Sequence, residues 1–322
     1  MIKMKKYRVI FMGTPMFATS VLKTLLEMKN QFDIVGVVCQ PDRKTGRKQE
    51  VQFSPVKQLA LANNLLVFQP EKLIDAYEEL AQLQPDLILT CAYGQFIPSK
   101  ILALPTINCL NVHASLLPKL RGGAPIHKAI IYGDHETGIS LMQMVKKMDA
   151  GDVYYQNKLT ISLTDTASSL HDKLMVLAID IIKHHLIPTL ENKYHPVAQD
   201  ETKVTFAYNI TREEERINWN QIKENIYNQI RGLYAWPIAY TTINDKIYKI
   251  HEAKISLDHL TISDQQLANG TIVTLTKEGI KVKVINGYLI LLKIQREGKK
   301  PVETSVFYNN PSPKIAVHQQ FV

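Results

Sequence analysis

The sequence predicts a two-domain α/β protein: a mostly parallel sheet with helices on both faces, followed by a small β-barrel. Three observations predict it. Apolar, strand-like runs alternate with amphipathic ones through the early part of the chain, as in a parallel sheet wrapped by helices. A polar stretch containing Pro196 interrupts that pattern. Beyond it, short alternating runs separated by close turns suggest a barrel, of which an OB-like barrel is one option. A length of 322 residues suits two domains.

Tyr7 to Met12 reads as a buried strand, Gly13-Thr14-Pro15 as a tight turn, and Phe17 to Met28 as an amphipathic helix. Ile34 to Cys39 is a second strand, and Gln40 to Glu50 a polar loop. Ser54-Pro55 opens a helix to about Asn63, with Ser54 as cap and proline in the first turn, where its missing N–H costs nothing. Leu65 to Phe68 is a short strand, Lys72 to Leu83 has helical periodicity, and Leu87 to Cys91 and Ile107 to Val112 are further strands. A long helical pattern runs from Ser168 to Leu190 and ends at Ile187-Pro188. These readings place a first domain at residues 1–191, a linker at 192–212 and a second domain at 213–322. In the second, Trp219 to Leu233 reads as one amphipathic helix. Strands follow at Ile238 to Ile243, Ile247 to Ile255, Gly270 to Leu275, Gly279 to Val284 and Tyr288 to Ile294, with Asn286-Gly287 as a hairpin turn.

Composition narrows the function classes. Hydrophobic residues make up 45% and charged residues 21%, enough apolar material for a sizeable core without disulfides or a structural metal. Cys39, Cys91 and Cys109 lie in strand-like runs at no zinc-binding spacing and read as reduced core residues. The basic start, Met1 to Lys6, is followed by an apolar run too short for a signal-peptide core, and nothing approaches a membrane span, so a cytoplasmic protein is expected. The net charge of +8 suits a polyanionic partner. From Phe206 onward fifteen Lys/Arg face eleven Asp/Glu, half of that excess, so no discrete basic tail exists. Gly13 stands without the G-x-G-x-x-G spacing, which leaves dinucleotide redox chemistry unsupported.

The densest chemistry lies in Asn111 to Pro125, N-V-H-A-S-L-L-P-K-L-R-G-G-A-P. Asn111 and His113 are two apart at the end of a strand, so both side chains point to one face, and strand carboxyl ends are where open sheets bind ligands. An amide and an imidazole there can both donate to one oxygen, the equipment for a developing oxyanion in acyl transfer. Asp149, in a loop marked by Ala150-Gly151, is the candidate acid to fix the histidine tautomer.

Asn111, His113 and Asp149 together resemble the catalytic trio of the folate-dependent formyltransferases. Ser115-Leu116-Leu117-Pro118, Arg121-Gly122-Gly123-Ala124-Pro125 and Gly138 to Met144 resemble the words around that trio. So do Phe11 to Pro15, Gln40-Pro41-Asp42-Arg43, Ser54 to Lys57, Ala92-Tyr93-Gly94, Asn228 to Tyr234 and Trp236-Pro237, in order along nearly the whole chain. Members acting on glycinamide ribonucleotide lack the second domain, whereas methionyl-tRNA formyltransferases are similar in both halves. The resemblance therefore implies a Rossmann-like first domain, an OB-like tRNA-binding second domain, and the methionyl initiator tRNA and 10-formyltetrahydrofolate as substrates. It implies direct attack of a neutral α-amine through a tetrahedral intermediate, without metal. Asn111 and His113 would donate to the oxygen, with Asp149 behind the histidine.

The folate is expected beside Ser115, Leu116, Leu117 and Pro118 and the stretch Tyr93, Gly94, Gln95, Phe96 and Ile97. The family places a tRNA-contacting loop where this chain has Pro41 to Lys48, which singles out Arg43, Lys44, Arg47 and Lys48; Gln49-Glu50 departs from the more basic family pattern. Arg231, Lys299 and Lys300 are the phosphate candidates of the second domain, with Arg231 reading equally as a helix-end residue that serves structure, and the protein is expected to be a monomer. Three rivals remain: a formyltransferase acting on a sugar-nucleotide amine, a non-catalytic RNA-binding module, and a hydrolase passing the formyl group to water.

Overall fold

The computed structural model describes residues 6–45, 50–310 and 313–322. The chain forms two compact units, one built from the chain up to Pro125 with Glu136–Thr160 and His171–Tyr208, the other from Ile126–His135, Ile161–Leu170 and Asn209–Val322.

The first unit holds strands β1 (Tyr7–Gly13), β2 (Phe32–Val38), β3 (Arg43–Thr45), β4 (Glu50–Gln52), β5 (Val67–Phe68), β6 (Leu87–Cys91), β7 (Asn108–His113), β8 (Glu136–Gln143) and β9 (Val153–Thr160). Seven of them form one sheet in the order β5-β2-β1-β6-β7-β8-β9. The pairs from β5 to β7 are parallel and the last two antiparallel. Ile10, Met12, Val38, Ile88 and Cys109 join Leu73, Leu80, Tyr93, Ile97 and Ile101 in one buried cluster. Each fully buried aliphatic side chain of this kind contributes roughly 1.5–3 kcal/mol. The predicted strands and the helices Met16–Glu27 and Pro55–Ala62 are present. The Ser54 hydroxyl accepts from Lys57 N at 3.2 Å, a cap worth about 1 kcal/mol. Gly13 leaves no room for a side chain, since a Cβ would meet the Ala18 Cβ at 2.7 Å and the Cys91 carbonyl at 2.8 Å.

Several sequence readings change. Gln40 to Glu50 is not an open loop: β3 and β4 pair antiparallel, Arg43 opposite Gln52 and Thr45 opposite Glu50. The long helix, Ala167–Leu190, runs through Pro188 rather than ending there. Near a helix end a missing N–H donor affects few bonds, and the Thr189 hydroxyl donates to the His185 carbonyl at 2.8 Å. Residues read as linker pack onto the first unit: Val197 bridges Val153, and Phe206 bridges Arg121. The helix expected from Trp219 begins only at Lys223 and ends at Gly232. Trp219 itself is core, stacked on Phe321 with its Nε1–H donated to the Thr241 hydroxyl at 2.9 Å.

The second unit holds β10 (Tyr240–Ile243), β11 (Lys246–Ile255), β12 (Ile272–Leu275), β13 (Ile280–Val284), β14 (Gly287–Arg296) and β15 (Val302–Glu303). They form an antiparallel sheet in the order β10-β11-β14-β13-β12, with β15 on β14. Residues 318–322 close it. Val322 exchanges backbone hydrogen bonds with Thr242 of β10, while His318 N and Gln319 O bond Ile272 of β12. This is the OB-like barrel, its interior filled by Ile250, Ile272, Val282, Leu289 and Leu291. The turn signalled by Asn286-Gly287 sits one residue earlier, because Val284 pairs with Gly287. Among the described residues no helix is long and apolar enough to cross a membrane.

Candidate active site

The carboxyl ends of β1, β2 and β6 are tied together by the first motifs of the sequence. The Thr14 hydroxyl donates to the Tyr93 carbonyl at 3.0 Å and accepts from Gln40 N at 3.2 Å, and Gln40 Nε2 reaches the same carbonyl at 3.2 Å. This knot fixes the rim formed by these strand ends.

Asn111 and His113 lie on β7, both buried. Parallel register puts Thr90 beside Asn111, and the Thr90 hydroxyl donates to Asn111 Oδ1 at 2.8 Å. That bond sets the amide orientation and leaves Nδ2 with no acceptor among the described residues. His113 Nε2 lies 3.0 Å from the Leu120 carbonyl. A carbonyl can only accept, so Nε2 carries a proton and Nδ1 of the neutral ring is bare. Nδ1 faces Asp149 Oδ2 at 3.8 Å, beyond hydrogen-bonding range. The expectation that Asp149 fixes the tautomer is corrected: the Leu120 carbonyl does so. Asp149 Oδ2 instead accepts from Gly122 N at 2.8 Å. Asp149 stands at φ +47° and Leu120 at φ +60°, conformations that need support from their surroundings. Gly122, at φ +124°, has the Ala207 carbonyl 2.7 Å from where a Cβ would stand.

The loop after His113 is clamped from below. Ser115 Oγ donates to the Lys119 carbonyl at 2.6 Å, and Ser140 Oγ donates to the Ser115 carbonyl at 2.6 Å. Gln156 Nε2 donates to the Leu117 carbonyl at 2.9 Å. The Ser115 hydroxyl is thus spent inside the loop and Leu117 is buried, while Leu116 and Pro118 keep partly exposed faces.

In the Tyr93 to Ile97 stretch, the side chains of Tyr93 and Ile97 belong to the core cluster. The Tyr93 hydroxyl is buried without a partner among the described residues, and burial pushes its pKa well up. Gln95 is tied down, accepting from Leu73 N at 3.1 Å and donating to the Pro70 carbonyl at 3.2 Å. Gly94 and Phe96 remain accessible, Phe96 at 63%. The amides of Gly94 to Ile97 donate to no protein acceptor among the described residues.

Arg43 and Lys44 are exposed on the β3–β4 hairpin. Arg47 and Lys48 lie outside the described residues, as do Gly46 and Gln49. The hairpin root is pinned at Asp42, which pairs with Lys57 and accepts from Gln69 Nε2 at 2.9 Å. Partial burial raises the Asp42 pKa, but the Lys57 and Gln69 hydrogen bonds outweigh it and the net shift is downward. Lys299 and Lys300 are exposed beyond β14. Arg231 is not, and its reading as a phosphate contact is corrected. It is 6% exposed, with Nη1 donating to the Asp165 carbonyl at 2.8 Å and the Ser162 carbonyl at 3.1 Å, and Nε to Asn228 Oδ1 at 2.9 Å.

Sequence reading missed Thr90, the Leu120 carbonyl and the Gly122 amide. Thr90 is found only from strand register, and the other two act through backbone groups, which no residue type announces. A cavity of about 350 Å³ in the second unit, walled by Glu213, Arg216, Trp219, Asn269, Phe321 and Val322 among others, contains none of the trio.

Two family descriptions match the chain: formyl transferase over residues 5–186 and formyl transferase, C-terminal domain, over residues 209–312. A methionyl-tRNA formyltransferase of Mesoplasma florum is 48% identical over 318 residues, covering 99% of this chain and 100% of the relative. One of Mycoplasma mycoides subsp. mycoides SC is 47% identical over 317 residues, covering 98% and 99%. Among solved structures, the N-formyltransferase from Helicobacter canadensis in complex with folinic acid and dTDP-3-aminofucose matches with a TM-score of 0.63. It covers 89% of this chain and 99% of that one, and at 19% identity the likeness is one of fold.

Proposed function

The chain belongs to the formyl transferase family, and from that premise we propose that it transfers the formyl group of 10-formyltetrahydrofolate to the α-amine of methionyl initiator tRNA, with Asn111, His113 and Asp149 as its catalytic residues. The acceptor follows from near-full-length identity, in both units, to methionyl-tRNA formyltransferases. The Helicobacter canadensis enzyme, solved with dTDP-3-aminofucose, shares only the fold.

The chemistry rests on one observation: Thr90 holds the Asn111 carbonyl oxygen, which leaves the amide N–H pair at the strand end without an acceptor among the described residues. The residues present fit the formyl donor. Backbone amides from Gly94 to Ile97, without an acceptor among the described residues, suit the acceptor edge of a flat heterocycle, and Phe96 offers an apolar face. When bound, 10-formyltetrahydrofolate supplies a formyl carbonyl attached to a leaving nitrogen. Asn111 Nδ2 donates to the formyl oxygen as negative charge develops there, worth about 3–4 kcal/mol for a well-placed donor. His113 Nδ1, bare in the neutral ring, takes the proton released by the attacking amine. The imidazolium so formed faces the Asp149 carboxylate, donates to the same oxygen, and returns its proton to the leaving nitrogen. His113 is therefore an acceptor first and a donor second, an order set by the Leu120 carbonyl on Nε2.

Exposed Arg43 and Lys44, with Arg47 and Lys48 nearby in sequence, supply positive charge for tRNA phosphates on the hairpin, and Lys299 and Lys300 do so on the barrel. The reading places the enzyme in the cytoplasm with its charged tRNA. The direct test incubates protein with 10-formyltetrahydrofolate and charged initiator tRNA and looks for formylmethionine. Absence of product, with formylation of a sugar-nucleotide amine in the parallel reaction, would overturn the acceptor assignment.

A further inference from the structure

The three residues Leu120, Arg121 and Gly122 each hold a different part of the site. Leu120 fixes the His113 ring through its carbonyl, and Gly122 binds the Asp149 carboxylate through its amide. Arg121, between them, is fully buried and turns the other way. Its Nε and Nη2 donate to Gln199 Oε1 at 3.0 and 2.8 Å, and Nη2 also pairs with Glu201 at 2.9 Å. Gln199 in turn donates from Nε2 to the carbonyls of Asp149 at 2.8 Å and Gly151 at 2.7 Å. The chain of hydrogen bonds therefore closes: Arg121 aims the Gln199 amide, and the amide grips the backbone that carries Asp149.

We propose that Gln199 and Arg121 are positioning residues that hold Asp149 at its working distance from His113. Three features argue for it. The Asp149 backbone occupies a left-handed conformation that favours glycine, and Gln199 grips its carbonyl directly. The Gln199 amide cannot flip without setting its NH2 group against the Arg121 guanidinium and its oxygen against two carbonyls, so its orientation is determined. The segment carrying Gln199 is itself laced to the catalytic loop. Thr205 Oγ1 accepts from Leu120 N at 2.9 Å, the Thr205 carbonyl from Arg121 N at 2.9 Å, and the Arg121 carbonyl from Ala207 N at 2.7 Å. The polar stretch after the long helix thus braces the site from within the first unit. This inference depends on the reading that Asp149 acts in formyl transfer.

The test compares Gln199→Glu, Arg121→Lys and Asp149→Asn with the wild type. Gln199→Glu keeps the partner of Arg121, which spares the fold, but removes both N–H donors and sets carboxylate oxygen against two carbonyls. Its kcat should fall about tenfold to a hundredfold while the KM for 10-formyltetrahydrofolate and the thermal midpoint stay close to wild type. In the Asp149→Asn background the same change should cost little more, since the group it positions no longer acts. Arg121→Lys, which gives up the paired grip on Gln199, should show the same split between kcat and KM. Wild-type kcat in folded Gln199→Glu, or equal losses in both backgrounds, would overturn the positioning role. Wild-type kcat in Asp149→Asn would instead overturn the trio.

Discussion

Thr90 Oγ1 and Asn111 Oδ1 lie 2.8 Å apart on neighbouring parallel strands, and this one bond decides which end of the Asn111 amide faces the site. Thr90→Val keeps the side-chain shape and removes the donor. The orphaned oxygen is then free to exchange places with Nδ2. We expect kcat to fall about tenfold, and stability by about 1–3 kcal/mol for the unsatisfied buried acceptor. Steady-state kinetics with urea unfolding reads both, and unchanged kcat would show that the amide is held by something else.

Replacing the trio itself has a larger effect. Asn111→Ala and His113→Ala should each lower kcat about a hundredfold or more, as for loss of one oxyanion donor. Donor binding, followed by fluorescence or calorimetry, should persist because neither side chain is assigned to hold the folate. Near-wild-type turnover in either variant removes that residue from the mechanism.

The hairpin prediction is electrostatic. Alanine at Arg43, Lys44 and Arg47 should raise the KM for tRNA and reduce the dependence of log KM on log salt, by roughly 0.7–0.9 in slope for each phosphate no longer neutralised. The KM for the formyl donor should not move. A salt slope equal to wild type would mean that the tRNA phosphates are neutralised elsewhere.

Arg231 behaves differently from the other basic residues. Its guanidinium is enclosed, and burial lowers its pKa from the free value. Arg231→Ala leaves the Ser162 and Asp165 carbonyls without this donor, so it should destabilise the protein by about 1–3 kcal/mol. At a temperature where the variant is folded, its tRNA KM should match wild type. A stable variant with weakened tRNA use would restore the phosphate role.

The cysteines give a prediction in pH. Burial pushes Cys109 up to about 12 from 9.0, and raises Cys39 and Cys91 as well. An unfolded chain releases these protons near pH 9 while the folded one retains them, so the unfolded state binds fewer protons there. Stability should therefore fall as pH rises from about 9 to 12. Denaturant midpoints across that range check the sign, and a triple Cys→Ser comparison separates thiols from lysines and tyrosines. At pH 8 a thiol reagent should react slowly with the native protein and rapidly after unfolding.

Much of this protein was legible in its sequence because local signals and global fold agree. The apolar strand runs, the Ser54 cap with Pro55, and the two-residue spacing of Asn111 and His113 each follow from periodicity or capping, which a few neighbouring residues determine. The motif words that carry the family resemblance are likewise linear. What only the tertiary structure decided are pairings between residues distant in the chain. Thr90 meets Asn111 through strand register, the Leu120 carbonyl chooses the His113 tautomer, and Gln199 crosses fifty residues to grip the Asp149 loop. The same holds for Arg231, for which the sequence allows a phosphate contact and a structural role alike, and its two carbonyl partners decide for structure. Residue type announces what a group can donate or accept, but which partner satisfies it is settled by the fold, since a buried polar group takes whatever the packing brings within about 3 Å.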